Sequence, residues 1–189
     1  MKVFTKPGSE NTNALVGVVK AKIQSTGISH VIVASSTGFT ALKLVEALPD
    51  CSIAVVTLCT GAKEPNVQVM APEVREQLTS AGCHVITAAH AMGGIGRAVN
   101  KKFSSIQVDE IIAQTLKLFG QGTKVAVEVA IMAADAGAVR TDQLAISIGG
   151  SSRGADTALV IKPDNTYNFF NVKIDEIICK PGVSGLPQQ

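Results

Sequence analysis

The fold is decided by residues 30–48, which read HVIVASSTGFTALKLVEAL. The first five residues, His30–Ala34, are mostly apolar and β-branched, which predicts a strand that is buried on both faces. From Thr40 onward, apolar residues recur every three or four positions, which predicts a helix that ends before Pro49. A buried strand that leads directly into a helix is the building unit of an α/β sheet.

The turn between this strand and this helix has the composition of an anion-binding loop. A helix N-terminus carries unpaired backbone N–H groups and a partial positive charge, which suit a phosphate or a carboxylate. Hydroxyl groups can donate from the sides, and a glycine lets the backbone approach an oxygen closely. The alternative is that the hydroxyl groups only cap the helix. We predict six ligand-binding residues here: Ser35, Ser36, Thr37, Gly38, Phe39 and Thr40.

The rest of the chain repeats the alternation of strands and helices. Further strands are predicted at 52–58, 84–88, 144–148 and 157–161, with an extension at 172–179. Helices are predicted at 12–27, 72–81, 93–103, 108–119 and 124–136. The run 124–136 alternates like a strand in its first half, but its alanine-rich second half favours a helix. In the helix 108–119, the spacing predicts that five apolar residues share one face: Val108, Ile111, Ile112, Leu116 and Phe119.

This pattern predicts a single α/β domain over residues 1–189, with a mainly parallel sheet of about five strands between two layers of helices. The connection before 157–161 is too short for a crossover, so that strand should pair antiparallel at the edge of the sheet. The Gly- and Pro-rich tail 181–189 is predicted to be loose.

The carboxyl ends of the strands supply the other candidate site residues, because ligands of parallel sheets bind beyond those ends. Hydroxyl groups, glycines and a histidine follow the second and third strands, at Thr57, Gly61, His90, Gly93 and Gly94. The turn after 144–148 can form an anion-binding nest beside a guanidinium group, or it is a simple turn between strands. Its candidate residues are Gly149, Gly150, Ser151 and Arg153.

Two carboxylates interrupt the apolar run 124–136. Glu128 and Asp135 are seven residues apart, so they share one face of a helix. Burying a carboxylate is costly unless the group is paired or hydrogen-bonded. We predict that Glu128 lies at the site, where it could bind ligand hydroxyls or act as a base, as could His90. Asp135 is predicted to face solvent or to accept from backbone N–H groups.

Composition and motifs argue against several classes of protein. The net charge of +2 and the lack of a basic cluster disfavour nucleic-acid binding. The sequence has no apolar run of about 18 residues and no N-terminal signal, which predicts a cytoplasmic protein without membrane contact. Four scattered cysteines argue against a metal site and against disulfides. The G-x-S-x-G match at 150–154 has no histidine after it, so a serine hydrolase is disfavoured.

The run 35–41, which is followed by a helix, Pro49 and the strand 53–57, resembles the C-terminal domain of pyruvate kinase. In that domain, a loop of the type Thr/Ser-Gly-x-Ser/Thr holds a phosphate of a sugar-bisphosphate effector. The resemblance therefore implies a regulatory phosphate site at 35–40. Phe39 stands where pyruvate kinases usually carry a basic residue, which disfavours a bisphosphorylated sugar and suits a flat ring.

The chain is also similar to free-standing proteins built on this domain, which look like flavin-nucleotide binders, and this likeness extends through 90–94, 127–137 and 153–163. That resemblance implies FMN as the bound group. Three functions stay open at this point. They are a binding protein for a phosphorylated small molecule, an enzyme that uses Glu128 or His90 as its acid–base group, and a structural oligomerisation module. A homo-oligomer also stays open.

Overall fold

The computed structural model describes residues 1–183, which are built on one seven-stranded sheet. The strands are β1 (Lys2–Phe4), β2 (His30–Ala34), β3 (Ser52–Val56), β4 (His84–Ile86), β5 (Ala145–Gly149), β6 (Thr157–Lys162) and β7 (Lys173–Pro181). Their order across the sheet is β1-β7-β6-β5-β2-β3-β4. The four strands from β5 to β4 pair in parallel, whereas β6 is antiparallel to both β5 and β7.

Helices cover both faces of the sheet. They are α1 (Thr12–Thr26), α2 (Phe39–Ala47), α3 (Pro72–Ser80), α4 (Ile95–Phe103), α5 (Val108–Lys117) and α6 (Gln121–Asp135). Val31 and Val33 pack in one core cluster with α1, α2 and α3, whereas Ile32 packs in the other with α5 and α6. Successive side chains of a strand point to opposite faces, so the two clusters lie on either side of the sheet. The predicted three-layer α/β architecture is confirmed.

The run 124–136, whose pattern pointed both ways, is helical and forms most of α6. Nearly every residue of α6 from Gly122 to Ala134 is buried, because the helix packs on the sheet and also against α5. A helix that is covered on most sides has no polar face. Its valines can therefore alternate without indicating a strand.

The strand predicted at the edge, now β6, lies inside the sheet. β7 pairs with its outer side, as predicted for 172–179, and β1 adds a further parallel strand. A three-residue strand such as β1 carries too little pattern to be recognised from sequence. Of the tail predicted to be loose, Pro181 belongs to β7 and Gly182 donates to the Phe4 carbonyl at 2.9 Å, whereas 184–189 lie outside the described residues.

None of the helices within residues 1–183 is both long enough and apolar enough to cross a membrane.

Candidate functional site

A cavity of about 920 Å³ opens at the carboxyl edge of the sheet. The segments that follow β2, β3, β4 and β5 line this cavity, together with the first turns of α6. Of the residues predicted from sequence, it brings together Ser35, Ser36, Thr37, Phe39, Thr40, Thr57, His90, Glu128, Gly150, Ser151 and Arg153. Gly38, Gly61, Gly93, Gly94 and Gly149 do not line it.

The hydroxyl groups of the loop before α2 do two different things. Ser36 and Thr37 are exposed and face the cavity, so their hydroxyls can donate to a ligand. Ser35 is buried, and its Oγ accepts from the N–H group of Ala41 at 3.4 Å. Thr40 is also buried at the cavity wall. The capping alternative therefore holds for Ser35, whereas the exposed side chains of Ser36 and Thr37 line the cavity.

Gly38 has a structural task that the sequence did not reveal. Its φ is +91°, and a Cβ at this position would overlap the Cγ1 atom of Val74 in α3. The glycine lets the start of α2 pack closely on α3. We predicted that Gly38 lets the backbone approach a ligand. In the structure, Gly38 is buried and lies outside the cavity lining.

We expect Gly38→Ala to lower the free energy of unfolding by about 1 kcal/mol or more, because alanine is strained at positive φ and meets Val74. Gly17→Ala is the matched control. Gly17 lies in α1, and a Cβ added there would have no neighbour within 4 Å, so we expect a gain of about 0.5–1 kcal/mol. Urea unfolding measures both. Equal effects of the two substitutions would contradict the packing role of Gly38.

Phe39 lies at the mouth of the cavity with half of its side chain exposed. The Lys43 ammonium lies 5.2 Å from the centre of the Phe39 ring, within cation–π range. Phe39 also lines a smaller cavity between α2 and α3. A flat ligand ring must therefore use the part of the phenyl group that Lys43 does not cover.

A buried ion pair on α6 forms part of the cavity wall. The Lys124 Nζ donates to Glu128 Oε2 at 2.6 Å, and both side chains are less than 10% exposed. The Met92 N–H donates to the other oxygen, Oε1, at 2.9 Å, which ties the segment after β4 to α6. Lys124 was missed from sequence, although its i,i+4 spacing to Glu128 was a usable signal.

His90 lines the same cavity as this ion pair. Burial lowers the pKa of His90, and the nearby positive charges of Lys124 and Arg97 lower it further, whereas the Glu128 carboxylate opposes the shift. The imidazole is therefore biased toward its neutral form, which offers one donor and one acceptor. An anion bound beside it would favour the protonated form.

Positive charge dominates the cavity lining. Its cationic residues are Lys63, Arg97, Lys124 and Arg153, and only Arg153 was predicted from sequence. Among the lining residues, Glu128 is the one carboxylate, and Lys124 already neutralises it. Lys63 lies in the segment after β3, and Arg97 lies on α4, which follows β4. The excess of cations favours an anionic ligand.

The turn after β5 is held by a buried aspartate that sequence analysis missed. Asp156 is fully buried, and its Oδ2 accepts from the backbone N–H groups of Gly8 at 3.0 Å and Ser151 at 3.1 Å. These bonds fasten the N-terminal segment, including the cavity-lining Ser9, to the turn. The Ser151 N–H is thereby used inside the protein, so the predicted anion nest lacks this donor.

The glycines outside the lining serve packing and turns. A Cβ on Gly149 would overlap the Gly122 carbonyl and lie 2.8 Å from the Ala126 nitrogen, so this glycine brings β5 close to α6. A Cβ on Gly93 would lie 2.6 Å from the Arg97 guanidinium. Gly61 has a positive φ of 84°, and Gly94 directly precedes α4.

Thr57 and Asp135 both form hydrogen bonds within the protein. Thr57 is buried in the cavity wall, where its hydroxyl donates to the Leu58 carbonyl and lies 2.8 Å from the Thr87 hydroxyl. Asp135 is exposed and accepts from the Thr166 N–H at 2.9 Å, as predicted. Within residues 1–183, no cluster of histidine, cysteine or carboxylate side chains is arranged to hold a metal ion.

Fold and cavity together define a three-layer α/β domain with a polar, cation-rich cavity at the carboxyl edge of its sheet. The chain belongs to the family described as pyruvate kinase, alpha/beta domain, whose model matches residues 13–161.

Solved structures of pyruvate kinase from Cryptosporidium parvum are similar to the chain over part of their length. One is 17% identical, with 75% of this chain and 21% of that chain covered and a TM-score of 0.36. Another, in complex with ADP, is 16% identical, with 85% and 25% covered and a TM-score of 0.42. The chain thus spans a quarter or less of the pyruvate kinases that it matches.

Proposed function

We propose that this chain binds a phosphorylated small molecule in the cavity at the carboxyl edge of the sheet and has a regulatory role. The observation that carries the proposal is the charge of the cavity. The cavity lining contains four cationic side chains and one carboxylate, Glu128, which is already paired with Lys124. Two exposed hydroxyl groups, those of Ser36 and Thr37, lie next to the start of α2.

The phosphate fits best at the N-terminus of α2. The first N–H groups of a helix have no partners within the helix, and the helix dipole favours negative charge there. Ser36 and Thr37 add hydroxyl donors at the same point. Arg153, across the cavity in the turn after β5, offers a planar fork of donors that matches a phosphate.

The ligand that we favour is FMN. The cavity volume of about 920 Å³ lies in the range of small-molecule sites. The half-exposed Phe39 gives an apolar contact for a flat ring at the mouth. His90 can exchange hydrogen bonds with the hydroxyls of a ribityl chain. A phosphosugar would use the same phosphate donors but would gain little from Phe39.

Titration with FMN and with riboflavin tests both parts of the proposal. We expect FMN to bind more tightly, and Thr37→Val to weaken FMN about tenfold, the effect of one hydrogen bond to a charged group. Riboflavin affinity should not change in this variant. Thr79→Val is the matched control, because Thr79 is exposed on α3 and its hydroxyl bonds only the Arg75 carbonyl.

The possible outcomes test the identity of the ligand separately from the assignment of the loop as a phosphate site. If riboflavin binds the parent as tightly as FMN, the phosphate assignment of the loop is wrong. If neither binds, FMN is excluded, and a titration with sugar phosphates decides whether the loop holds phosphate. The absorption spectrum of the freshly purified protein gives an independent check, because bound flavin is yellow.

An enzyme that acts on such a ligand is the second candidate function, and His90 is the observation that favours it. The lowered pKa of His90 leaves a neutral imidazole at the cavity, as a general base requires. Glu128 is less suited, because Lys124 and Met92 occupy both of its oxygens. Mass spectrometry of FMN after long incubation tests this candidate. Unchanged FMN supports a binding protein, whereas conversion that His90→Gln abolishes supports an enzyme.

A further inference from the structure

Helix α4 has an apolar side that the described chain covers only in part, because Val99 is half-buried and the Lys102 ammonium lies 5.4 Å from the centre of the Phe103 ring. Ile95, Val99 and Phe103 follow one another at four-residue spacing and so form one stripe along the helix. No residue of α4 is buried. The helix packs against α5, and the Asn100 side chain donates to the Glu110 carboxylate there at 2.8 Å.

The neighbouring helix α5 is apolar on two sides. Ile112, Ala113 and Leu116 pack into the core beside α6. A second set is exposed, with Val108 and Ile111 on α5 and Leu118 directly after it. The apolar surface of α4 and α5 consists of Ile95, Phe103, Ile106, Val108, Ile111 and Leu118, each between 58% and 84% exposed. The five apolar residues predicted to share one face of 108–119 are divided in the structure, because Val108, Ile111 and Phe119 are exposed, whereas Ile112 and Leu116 pack against the core.

This apolar surface is too large to be an ordinary feature of a monomer. The six residues, backbone included, expose on the order of 800 Å² together, which is comparable to the roughly 800 Å² that each partner buries in a standard interface. Isolated exposed apolar residues are common, but a set of this size on two adjacent helices marks an interaction site.

We propose that a second copy of this chain covers the apolar surface of α4 and α5, with the same two helices of each protomer packed about a two-fold axis. Such an interface is self-complementary, since each apolar stripe meets its own copy. The charges around the surface have both signs, with Lys101 and Lys102 on α4 and Asp109 and Glu110 on α5. An anionic membrane or nucleic acid would call for one sign.

The proposed dimer goes beyond the ligand site and does not rest on it. It has one consequence for that site, because α4 also carries Arg97, which lines the cavity. A partner that covers the apolar side of α4 would hold this helix, and with it the Arg97 guanidinium, against the rest of the protein.

Sedimentation velocity of the full chain between 1 and 100 µM tests the proposal. We expect a species of twice 19.6 kDa at the higher concentrations. Phe103→Lys and Ile111→Lys should each weaken the dimer about 30-fold or more, the effect of losing a central contact. Phe170→Lys is the matched control. Phe170 is 84% exposed but lies in the turn before β7, outside the apolar surface of α4 and α5.

Hydrogen exchange of the parent protein provides a readout that needs no variant. Raising the concentration from 1 to 100 µM should increase protection in residues 95–119 and leave α1 and α3 unchanged. A parent that stays monomeric at 100 µM overturns the proposal, as does a dimer that persists in the double variant Phe103→Lys/Ile111→Lys. Binding of a monomeric parent to vesicles of anionic lipid would also overturn it, in favour of a membrane contact.

Discussion

Glu128→Ala should lower the free energy of unfolding by about 3–5 kcal/mol. The substitution leaves the Lys124 ammonium buried without the carboxylate that lies 2.6 Å from it. It also removes the acceptor of the Met92 N–H group, so the segment after β4 loses its bond to α6. Urea unfolding followed by circular dichroism measures the change. A loss below about 1 kcal/mol would mean that water reaches Lys124 and that the pair is not a buried one.

The double variant Lys124→Met/Glu128→Leu is the control for this prediction. It removes both charges and keeps most of the volume but still leaves the Met92 N–H group without its acceptor, so it should lose only about 1–3 kcal/mol, less than Glu128→Ala. If the double variant is as unstable as Glu128→Ala, the loss comes from the Met92 hydrogen bond or from packing rather than from the unpaired charge. The two variants together thus separate the loss of stability that the unpaired Lys124 charge causes from the loss that the missing hydrogen bond and packing cause.

Asp156→Ala should cost about 2–5 kcal/mol, because the backbone N–H groups of Gly8 and Ser151 would both lose a buried acceptor. The Thr157 hydroxyl, which donates to Oδ1 at 2.9 Å, loses its partner as well. We also expect weaker FMN binding at temperatures where the variant is folded, since Ser9 and the turn after β5 would no longer be fastened together. Urea unfolding and FMN titration measure the two effects.

Asp164→Ala is the matched control for Asp156→Ala. Asp164 is also a buried aspartate, but its Oδ1 accepts from the N–H group of Asn165 at 2.8 Å, and Asn165 lies outside the cavity lining. It should lose stability without losing ligand affinity. Unchanged FMN affinity in folded Asp156→Ala would show that the N-terminal wall of the cavity takes no part in binding.

The architecture was predictable because its central elements have strong local patterns. β2 and β3 are short runs of β-branched residues, and α2 follows β2 without a spacer. Parallel pairing then placed the polar ends of the strands at one edge, which located Ser36, Thr37 and His90 at the cavity. The strand β1 was not predicted, because three residues are too few to show a periodic pattern.

The parts of the site that could not be predicted depend on tertiary partners. Asp156 accepts hydrogen bonds from Gly8 and Ser151. The bond from Gly8 spans 148 residues, so no local sequence pattern predicts it. A glycine in a loop is equally compatible with ligand approach and with close packing. Only the neighbours of Gly38 and Gly149 show that both serve packing. Periodicity likewise predicted the helix α5 but not which of its apolar residues the protein covers.

The long-range bonds of the N-terminal segment determine when in folding the cavity is completed. Lys2 pairs with Cys179, and the Gly8 N–H bonds to Asp156, 148 residues further along the chain. Contacts between such distant residues form late, because the entropy of closing the intervening loop must first be offset. During synthesis, the segment that carries Ser9 must wait until the turn after β5 has been made. A ligand that needs this wall can therefore stabilise only a nearly complete domain, and it acts on the last step of folding rather than on the first.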